Sequence, residues 1–223
     1  MDLQQFMQKN RQIMLISIFG LILFGIMLFN VLFNGPMLRV DEWISIYMSH
    51  AQTEMWTKPI IFVTDLNGMV ASSILFTGFT LFFWYKKYYR DLWFFFSSFA
   101  GAAVLFNLFK FTLQRPRPDA KLFDLVTYSF PSGHTTMATV LALSLYFIFR
   151  EKVGESLRVL LLFASIFWPV TIAFTRVYLN VHWVSDVLAG LGLGLFWVTL
   201  LYMFYPSGKK KVVKYGTSSY SEQ

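Results

Sequence analysis

The sequence predicts an all-α, polytopic membrane protein that crosses the bilayer with six transmembrane helices. Of its 223 residues, 56% are hydrophobic and only 14% are charged, whereas soluble domains carry about 25% charged residues. Six apolar segments are separated by short stretches that hold most of the charged residues. This alternation is the pattern expected of helices that each cross about 30 Å of hydrocarbon.

The predicted helices are the apolar segments themselves, and we expect residues 1–205 to form a single domain. The first segment runs for about 22 residues without a charge, which is long enough to span a bilayer. The fourth is short for this distance, and we expect it to gain length from the residues before it. In chain order the segments are 12–33, 60–85, 92–113, 135–149, 159–175 and 183–205.

The distribution of Lys and Arg predicts the orientation, because cytoplasmic loops carry an excess of these residues. With the N-terminus inside, twelve basic residues belong to the cytoplasmic side and seven to the outer side. Both termini are therefore predicted to lie in the cytoplasm, in a bacterial inner or plasma membrane. Four of the seven outer residues lie between Lys110 and Lys121. A positive cluster on the disfavoured side indicates a function that needs positive charge.

Two further segments are predicted not to span the membrane. In residues 41–58, Trp43, Ile46, Tyr47 and Ala51 follow the spacing of one helical face. This pattern predicts an amphipathic helix in the outer interface, where Trp and Tyr are favoured, and an ordinary packed loop is the alternative. Residues 206–223 combine a Lys cluster with Gly, Ser and Tyr and are predicted to be a disordered cytoplasmic tail.

Candidate functional residues concentrate in three stretches, 110–118, 131–134 and 176–186, each at the end of an apolar segment. Ionisable groups at membrane depth are costly and usually mark a working site. The chain has no cysteine, which excludes disulfides and thiolate metal sites. No cluster of carboxylates in the sequence suggests another kind of metal site.

His182 and Asp186 in the third stretch are four residues apart, so they share one face if a helix begins near His182. The carboxylate can then accept the proton of one imidazole nitrogen and leave the other unprotonated, as in a catalytic triad. Such a histidine can act as a base or as a nucleophile. An inert pair at the membrane interface is the alternative.

The second stretch, Pro131 to His134, opens the fourth apolar segment. Free backbone N–H groups at a helix start bind anions, and Gly133 allows the backbone to approach a ligand closely. Ser132 can cap the helix or donate to a phosphate oxygen, and His134 can protonate a leaving oxygen. A capped helix start with an incidental histidine is the alternative.

The first stretch, KFTLQRPRP, supplies cations. Pro116 and Pro118 stop the preceding helix and restrict Arg117 between them. Arg offers a planar fork for phosphate oxygens, and Lys110 offers a point charge. Alone, this stretch also fits a snorkelling Lys before a basic loop. Because all three stretches belong to the same membrane face, together they indicate a site that holds a phosphate group.

The three stretches resemble the signature of the type 2 phosphatidic acid phosphatase family. In that family a Lys is followed after six residues by Arg-Pro, then by Pro-Ser-Gly-His, and then by Ser-Arg, five residues, His, three residues and Asp. Thr175 stands where Ser is usual and keeps a hydroxyl group. The corresponding residues here are Lys110, Arg117 and Pro118; Pro131, Ser132, Gly133 and His134; and Arg176, His182 and Asp186.

The resemblance implies a six-helix membrane bundle and a phosphatase mechanism. It implies that His182 is the nucleophile and forms a phosphohistidine, that Asp186 orients it, and that His134 protonates the leaving group and then activates water. Cations in such a site can supply the charge that Mg²⁺ supplies elsewhere, so no metal ion and no other cofactor is expected. The residues implied to bind the phosphoryl oxygens are Lys110, Arg117, Ser132, Gly133 and Arg176.

The expected partners are the lipid bilayer and a lipid phosphate substrate, and no nucleic acid is expected. Undecaprenyl diphosphate and phosphatidylglycerol phosphate are the leading candidates, with a lipid A phosphate as an alternative. The motif residues bind only the phosphate, so they do not separate these lipids. Two other classes stay open, a non-enzymatic lipid-binding or transport protein and an enzyme of the vanadate haloperoxidase type.

Three residues outside the stretches carry structural expectations. Asp65 lies near the outer start of the second segment and is expected to contact Lys110 or Arg115, or else to reach water. Gly190 and Gly194 form a small-xxx-small pair, which favours close packing of the sixth predicted helix against its neighbours.

Overall fold

The computed structural model describes residues 3–123 and 125–205, which form eight α-helices and no β-strand. The tail predicted at 206–223 lies outside the described residues. The helices are α1 (Leu3–Leu32), α2 (Met37–Ala51), α3 (Glu54–Asp65), α4 (Met69–Tyr85), α5 (Tyr89–Leu113), α6 (Gly133–Phe149), α7 (Glu155–Tyr178) and α8 (Val184–Phe204).

Five helical stretches among the described residues are long and apolar enough to span a membrane, where the sequence predicted six. α6 is apolar but has only 17 residues, which agrees with the short fourth segment of the sequence. The all-α transmembrane fold is therefore confirmed. The five long stretches are Asn10–Leu32, Glu54–Tyr85 (α3 and α4 together), Tyr89–Leu113, Glu155–Tyr178 and Val184–Phe204.

The amphipathic helix predicted at 41–58 is present as α2, but with different bounds. It starts earlier and ends at Ala51, and the rest of the predicted segment belongs to α3. Gln52 and Thr53 separate the two helices because both bond to Tyr178 at the end of α7. Gln52 Nε2 donates to the Tyr178 carbonyl at 2.7 Å, and the Thr53 N–H donates to the Tyr178 hydroxyl at 3.2 Å. The loop alternative is therefore wrong.

The second predicted helix, 60–85, is interrupted at residues 66–68, where α3 ends and α4 has not yet begun. The buried side chain of Asn67 explains the interruption. Its Nδ2 donates to the backbone carbonyl of His134 in α6 at 2.9 Å, and its Oδ1 accepts from Trp168 Nε1 in α7 at 3.1 Å. These two bonds fix the turn against two other helices.

α8 lies at the centre of the bundle and packs against α1, α2, α5, α6 and α7. Glycines on α8 allow this close packing. A Cβ at Gly192 would lie 2.7 Å from the carbonyl oxygen of Gly20 in α1, and one at Gly194 would lie 2.7 Å from Thr139 Cβ in α6. Gly190 likewise faces the start of α6. The close packing predicted from Gly190 and Gly194 is confirmed.

The helices from α5 to α8 alternate in direction, which brings four helix ends together. The C-terminal ends of α5 and α7 meet the N-terminal ends of α6 and α8. The segment between α5 and α6 closes this end of the bundle, because the Ser129 N–H donates to the Arg115 carbonyl at 2.9 Å and the Ser132 N–H donates to the Asp186 carbonyl at 3.0 Å. All three candidate stretches therefore lie at the same end.

The opposite end of the bundle contains a cluster of aromatic rings and one buried acid. Phe95 is fully buried between Phe83 and Phe99, with ring centroids 5.7 Å and 5.1 Å away. Asp91 is 6% exposed, forms an ion pair with Lys152 and accepts a hydrogen bond from the hydroxyl group of Tyr205. This buried ion pair is separate from the three candidate stretches.

We expect Gly192→Ala to lower the thermal unfolding midpoint of the detergent-solubilised protein. The new Cβ would lie under 3 Å from two backbone atoms of α1, so the helices must separate and lose packing. Gly25→Ala in α1 is the matched control, because a Cβ there meets nothing within 4 Å. Equal midpoints for the two variants would contradict the close contact between α1 and α8.

Candidate active site

The three stretches surround one cavity of about 730 Å³. Six of the eight predicted site residues line it, while Asp186 lies behind His182 and Ser132 is fully buried at the start of α6. The six residues that line the cavity are Lys110, Arg117, Gly133, His134, Arg176 and His182.

His182 lies between α7 and α8 and is only 3% exposed. Its Nδ1 lies 3.3 Å from Asp186 Oδ2, and its Nε2 lies 3.2 Å from Arg117 Nη1. A guanidinium can only donate hydrogen bonds, so Nε2 is the acceptor and Nδ1 carries the proton that Asp186 accepts. This is the tautomer expected of an imidazole whose Nε2 is the unprotonated, nucleophilic nitrogen.

Burial lowers the pKa of His182 well below its ordinary value of 6.5, and the charges of Arg117, Arg176 and Lys110 lower it further. The charged imidazole is disfavoured because it would lie in a poorly solvated site beside three cations. His182 is therefore neutral at neutral pH, and its Nε2, which accepts the hydrogen bond from Arg117, needs no proton removed before it can attack.

Arg117 is held in place by the segment between α5 and α6. Its Nε donates to the Thr127 carbonyl at 2.8 Å, its Nη2 donates to the Tyr128 carbonyl at 3.1 Å, and its Nη1 donates to the Val181 carbonyl. Lys110 Nζ donates to the same Tyr128 carbonyl at 2.6 Å. The two cations are thus fixed before a ligand arrives, which is the condition for strong electrostatic stabilisation.

Arg176, at the end of α7, is 5% exposed and has an unsatisfied donor. Its Nη1 donates to Thr64 Oγ1 at 3.1 Å, but its buried Nε has no hydrogen-bond partner among the described residues. A buried donor without a partner costs about 1–3 kcal/mol. An anion in the cavity would satisfy this donor.

The start of α6 presents free backbone donors to the cavity. The Gly133 and His134 N–H groups have no acceptor in the described part of the chain. The Ser132 hydroxyl accepts from the Thr135 N–H at 3.4 Å and from the Thr135 hydroxyl at 3.0 Å. Of the two uses predicted for Ser132, the structure shows the helix cap, and its hydroxyl does not line the cavity.

Thr64 and Asn67 also contact the site, and the motifs did not indicate either of them. Thr64 bonds to the side chain of Arg176, and Asn67 bonds to the backbone of His134. The only signal in the sequence was a run of polar residues, TDLNG, inside an apolar segment.

Asp65, within the same run, was expected to contact Lys110 or Arg115. It is exposed and forms neither of these ion pairs. The expected contact is wrong, because Arg115 is already paired on both of its Nη atoms, and the exposure of Asp65 supports the alternative that its carboxylate reaches water. Arg115 Nη1 lies 2.6 Å from Asp186 Oδ1, and Arg115 Nη2 lies 2.8 Å from Asp41 Oδ2.

The rest of the cavity is mostly apolar, with a few polar lining residues such as Ser72, Ser73 and Asn107. Beyond the cationic end it extends between α4, α5 and α6, and no Asp or Glu among the described residues lines it. A cavity that is cationic at one end and apolar along its length suits an amphiphile with an anionic head. The apolar lining residues include Met69, Phe76, Phe96, Phe99, Ala103, Phe106 and Met137.

Comparisons with known proteins agree with this geometry. The PAP2 superfamily matches residues 91–209, which include all three stretches. A transmembrane PAP2 type phosphatidylglycerolphosphate phosphatase from Bacillus subtilis has a crystal structure that matches with a TM-score of 0.72 and 27% identity. The match covers 83% of this chain and 95% of that one.

Curated relatives are phosphatases of lipid phosphates by name. Phosphatidylglycerophosphatase B of Bacillus subtilis is 28% identical over 183 residues, which cover 79% of this chain and 88% of that protein. Lipid A 4'-phosphatase of Porphyromonas gingivalis is 32% identical over 80 residues, or 30% of its length. A dihydrosphingosine 1-phosphate phosphatase of Saccharomyces cerevisiae is 34% identical over 91 residues, or 22% of its length.

The lowered pKa of His182 predicts how stability depends on pH. The unfolded chain binds a proton at this histidine below about pH 6.5, whereas the folded chain does not, so stability decreases as the pH falls below 6.5. The loss is about 1.4 kcal/mol per pH unit at most. We expect the unfolding midpoint to fall less steeply between pH 7 and pH 5 in His182→Gln than in the wild type.

His50→Gln is the control for this measurement, because His50 is exposed and lies outside the cavity. Its unfolding midpoint should follow the wild-type slope. If His182→Gln also follows that slope, His182 titrates normally in the folded chain and the electrostatic account of the site is incorrect.

Proposed function

The chain belongs to the PAP2 superfamily, the type 2 phosphatidic acid phosphatases that its three motifs resemble, and we propose that it hydrolyses a phosphate ester or diphosphate carried by a membrane lipid. It is an integral membrane protein with a phosphatase fold. One observation carries the proposal most directly: the unprotonated Nε2 of His182, held by Arg117, lies at a cavity that is cationic beside it and mostly apolar beyond it.

In the first step His182 Nε2 attacks phosphorus, and the bond from phosphorus to the lipid oxygen breaks. The lone pair forms the new N–P bond, and the lipid oxygen leaves with the bonding electrons and a proton from His134. Asp186 accepts the hydrogen bond from Nδ1–H and balances the positive charge that develops on the imidazole. The products are a phosphohistidine and the dephosphorylated lipid, or its monophosphate when a diphosphate reacts.

In the second step water attacks phosphorus, and the N–P bond breaks. His134 accepts a proton from the water, which restores the acid for the next cycle, and His182 regains its lone pair. Phosphoryl transfer depends mainly on positioning and on charge stabilisation of the equatorial oxygens. We assign this role to Lys110, Arg117 and Arg176 together with the free N–H groups at the start of α6.

The unsatisfied Nε of Arg176 supports an anionic ligand, and the apolar walls support a lipid as its carrier. Phosphatidylglycerol phosphate is the favoured substrate, because a relative that matches 79% of this chain and a matching crystal structure are both named for that activity. Undecaprenyl diphosphate is the second candidate, and lipid A phosphate is the alternative. The proposed location is a bacterial plasma membrane, with cytoplasmic termini and an extracytoplasmic site.

Purified protein in detergent should release phosphate from a panel of phosphatidylglycerol phosphate, undecaprenyl diphosphate, phosphatidic acid and lipid A. We expect His182→Ala to reduce release by at least about 10³-fold, because loss of a nucleophile removes the covalent route. Rapid acid quench of ³²P-labelled substrate should trap phosphoenzyme in the wild type and none in this variant. His50→Ala should keep wild-type turnover.

Release from no lipid in the panel would contradict the proposed function. Release that survives in His182→Ala would leave the function in place and reject the nucleophile.

Turnover should be unchanged in excess EDTA, because three fixed cations supply the charge that a metal would otherwise supply. The measurement is initial-rate phosphate release before and after chelation, with added Mg²⁺ as the comparison. Activity that is lost on chelation and restored by Mg²⁺ would mean that a metal takes part.

A further inference from the structure

The carboxylate of Asp186 is shared among three donors, and two of them, His182 and Arg115, have opposing effects. Its Oδ2 lies 3.3 Å from His182 Nδ1 and accepts from the Trp183 N–H at 3.0 Å, while its Oδ1 accepts from Arg115 Nη1 at 2.6 Å. The contact with Arg115 is the shorter one. Arginine and carboxylate groups tend to form bidentate pairs, so an unrestrained Arg115 would compete with His182 for this carboxylate.

Asp41 of α2 binds the second terminal nitrogen of the Arg115 guanidinium. Arg115 Nη2 donates to Asp41 Oδ2 at 2.8 Å, so each of its two terminal nitrogens has a different carboxylate partner. Asp41 is 2% exposed and Arg115 is 9% exposed, and such buried pairs interact strongly. The pairing with Asp41 therefore keeps Arg115 from turning both of its nitrogens onto Asp186.

Asp41 is itself fixed by the residue next to Asp186. The Ser185 N–H donates to Asp41 Oδ1 at 2.9 Å, and the Ser185 hydroxyl donates to Asp41 Oδ2. The Arg115 guanidinium also lies 5.4 Å from the ring of Trp183. These contacts tie α2 to the start of α8 and leave Arg115 little freedom to rotate.

The charges of this buried group matter when His182 reacts. Asp41, Arg115 and Asp186 together carry one net negative charge, which can balance the positive charge that His182 gains as it attacks phosphorus. Without the charge of Asp41, Arg115 and Asp186 would cancel, and the developing imidazolium would lack a counter-charge. In a site with little solvent such an imbalance is costly.

We propose that Asp41 and Arg115 are positioning residues for the nucleophile. Asp41 holds Arg115 so that the Asp186 carboxylate stays aligned with His182. The charge of Asp41 offsets that of Arg115, so the negative charge of Asp186 remains available to balance the charge that develops on His182. This inference rests on the proposed function. Asp41 lies on α2, outside the matched region 91–209 and outside the three motifs. Neither Asp41 nor Arg115 lines the cavity, so both act through Asp186.

The test is Asp41→Asn in the full-length chain. We expect kcat to fall about 10- to 100-fold, the range typical of residues that orient a reacting group from behind. KM should stay within about twofold, because Asp41 does not line the cavity. Rapid-quench measurements should show slower formation of the phosphoenzyme. An unchanged kcat, or a change confined to KM, would overturn the proposal.

A second variant tests the competition itself. In Asp41→Asn/Arg115→Met the competing guanidinium is replaced by an uncharged chain of similar length. We expect phosphoenzyme formation at least about fivefold faster than in Asp41→Asn alone, since only His182 and the Trp183 N–H then share Asp186. A double variant no faster than the single one would reject competition for the carboxylate.

Asp91→Asn is the matched control for a merely structural effect. Asp91 is similarly buried and ion-paired, but at the opposite end of the bundle. We expect it to lower the unfolding midpoint without slowing phosphoenzyme formation. If Asp41→Asn behaves in the same way, its role is structural only.

A readout that needs no turnover separates this proposal from the proposed function. The chain has three histidines, so their ¹⁵N resonances can be assigned with His50→Gln and His134→Gln. We expect Asp41→Asn to shift the Nδ1–H resonance of His182. A shift in a protein that hydrolyses no lipid phosphate would reject the proposed function and keep the positioning role. An unshifted resonance in an active protein would keep the proposed function and reject the positioning role.

Discussion

The hydrogen bond between His182 Nδ1 and the Asp186 carboxylate requires several segments of the chain to be fixed at once. The start of α8 carries Asp186, and its backbone carbonyl accepts the N–H that precedes α6. Arg115, just after α5, and Asp41 on α2 reach the same carboxylate from the other side. Because Nδ1 and Oδ2 are 3.3 Å apart, a small shift of any of these segments would weaken this hydrogen bond. The position of the His182 imidazole therefore depends on the packing of the whole bundle.

The sequence predicted the membrane fold and the residues around the cavity for a simple physical reason. Charged groups are rare at membrane depth, so Lys110, Arg176 and His182 stand out in a chain that is otherwise apolar. The pairing of Arg115 with Asp41 could not be predicted in this way, because the two residues are 74 positions apart and no periodicity links them. The interruption at 66–68 was missed for a similar reason, since it depends on partners in α6 and α7.

The cavity joins two environments that usually exclude each other. Cations fixed near one another repel, and no described carboxylate lines the cavity beside them, while the walls a few residues away are mostly rings and methyl groups. The Nε of Arg176 is buried without a partner, and the first N–H groups of α6 are also free. The free-energy cost of leaving these donors unpaired is recovered only when an anion binds. Preorganised sites of this kind cost stability in the empty protein. The glycine-mediated packing of α8 against α1 and α6 is one of the features that offset this cost.

The cavity, cationic at one end and mostly apolar along its length, has a consequence for the direction of the reaction. After cleavage the two products partition into different phases. The lipid alcohol stays with the acyl chains, whereas inorganic phosphate diffuses into water and is diluted there. Physical separation of the products therefore makes resynthesis negligible without any expenditure of nucleotide.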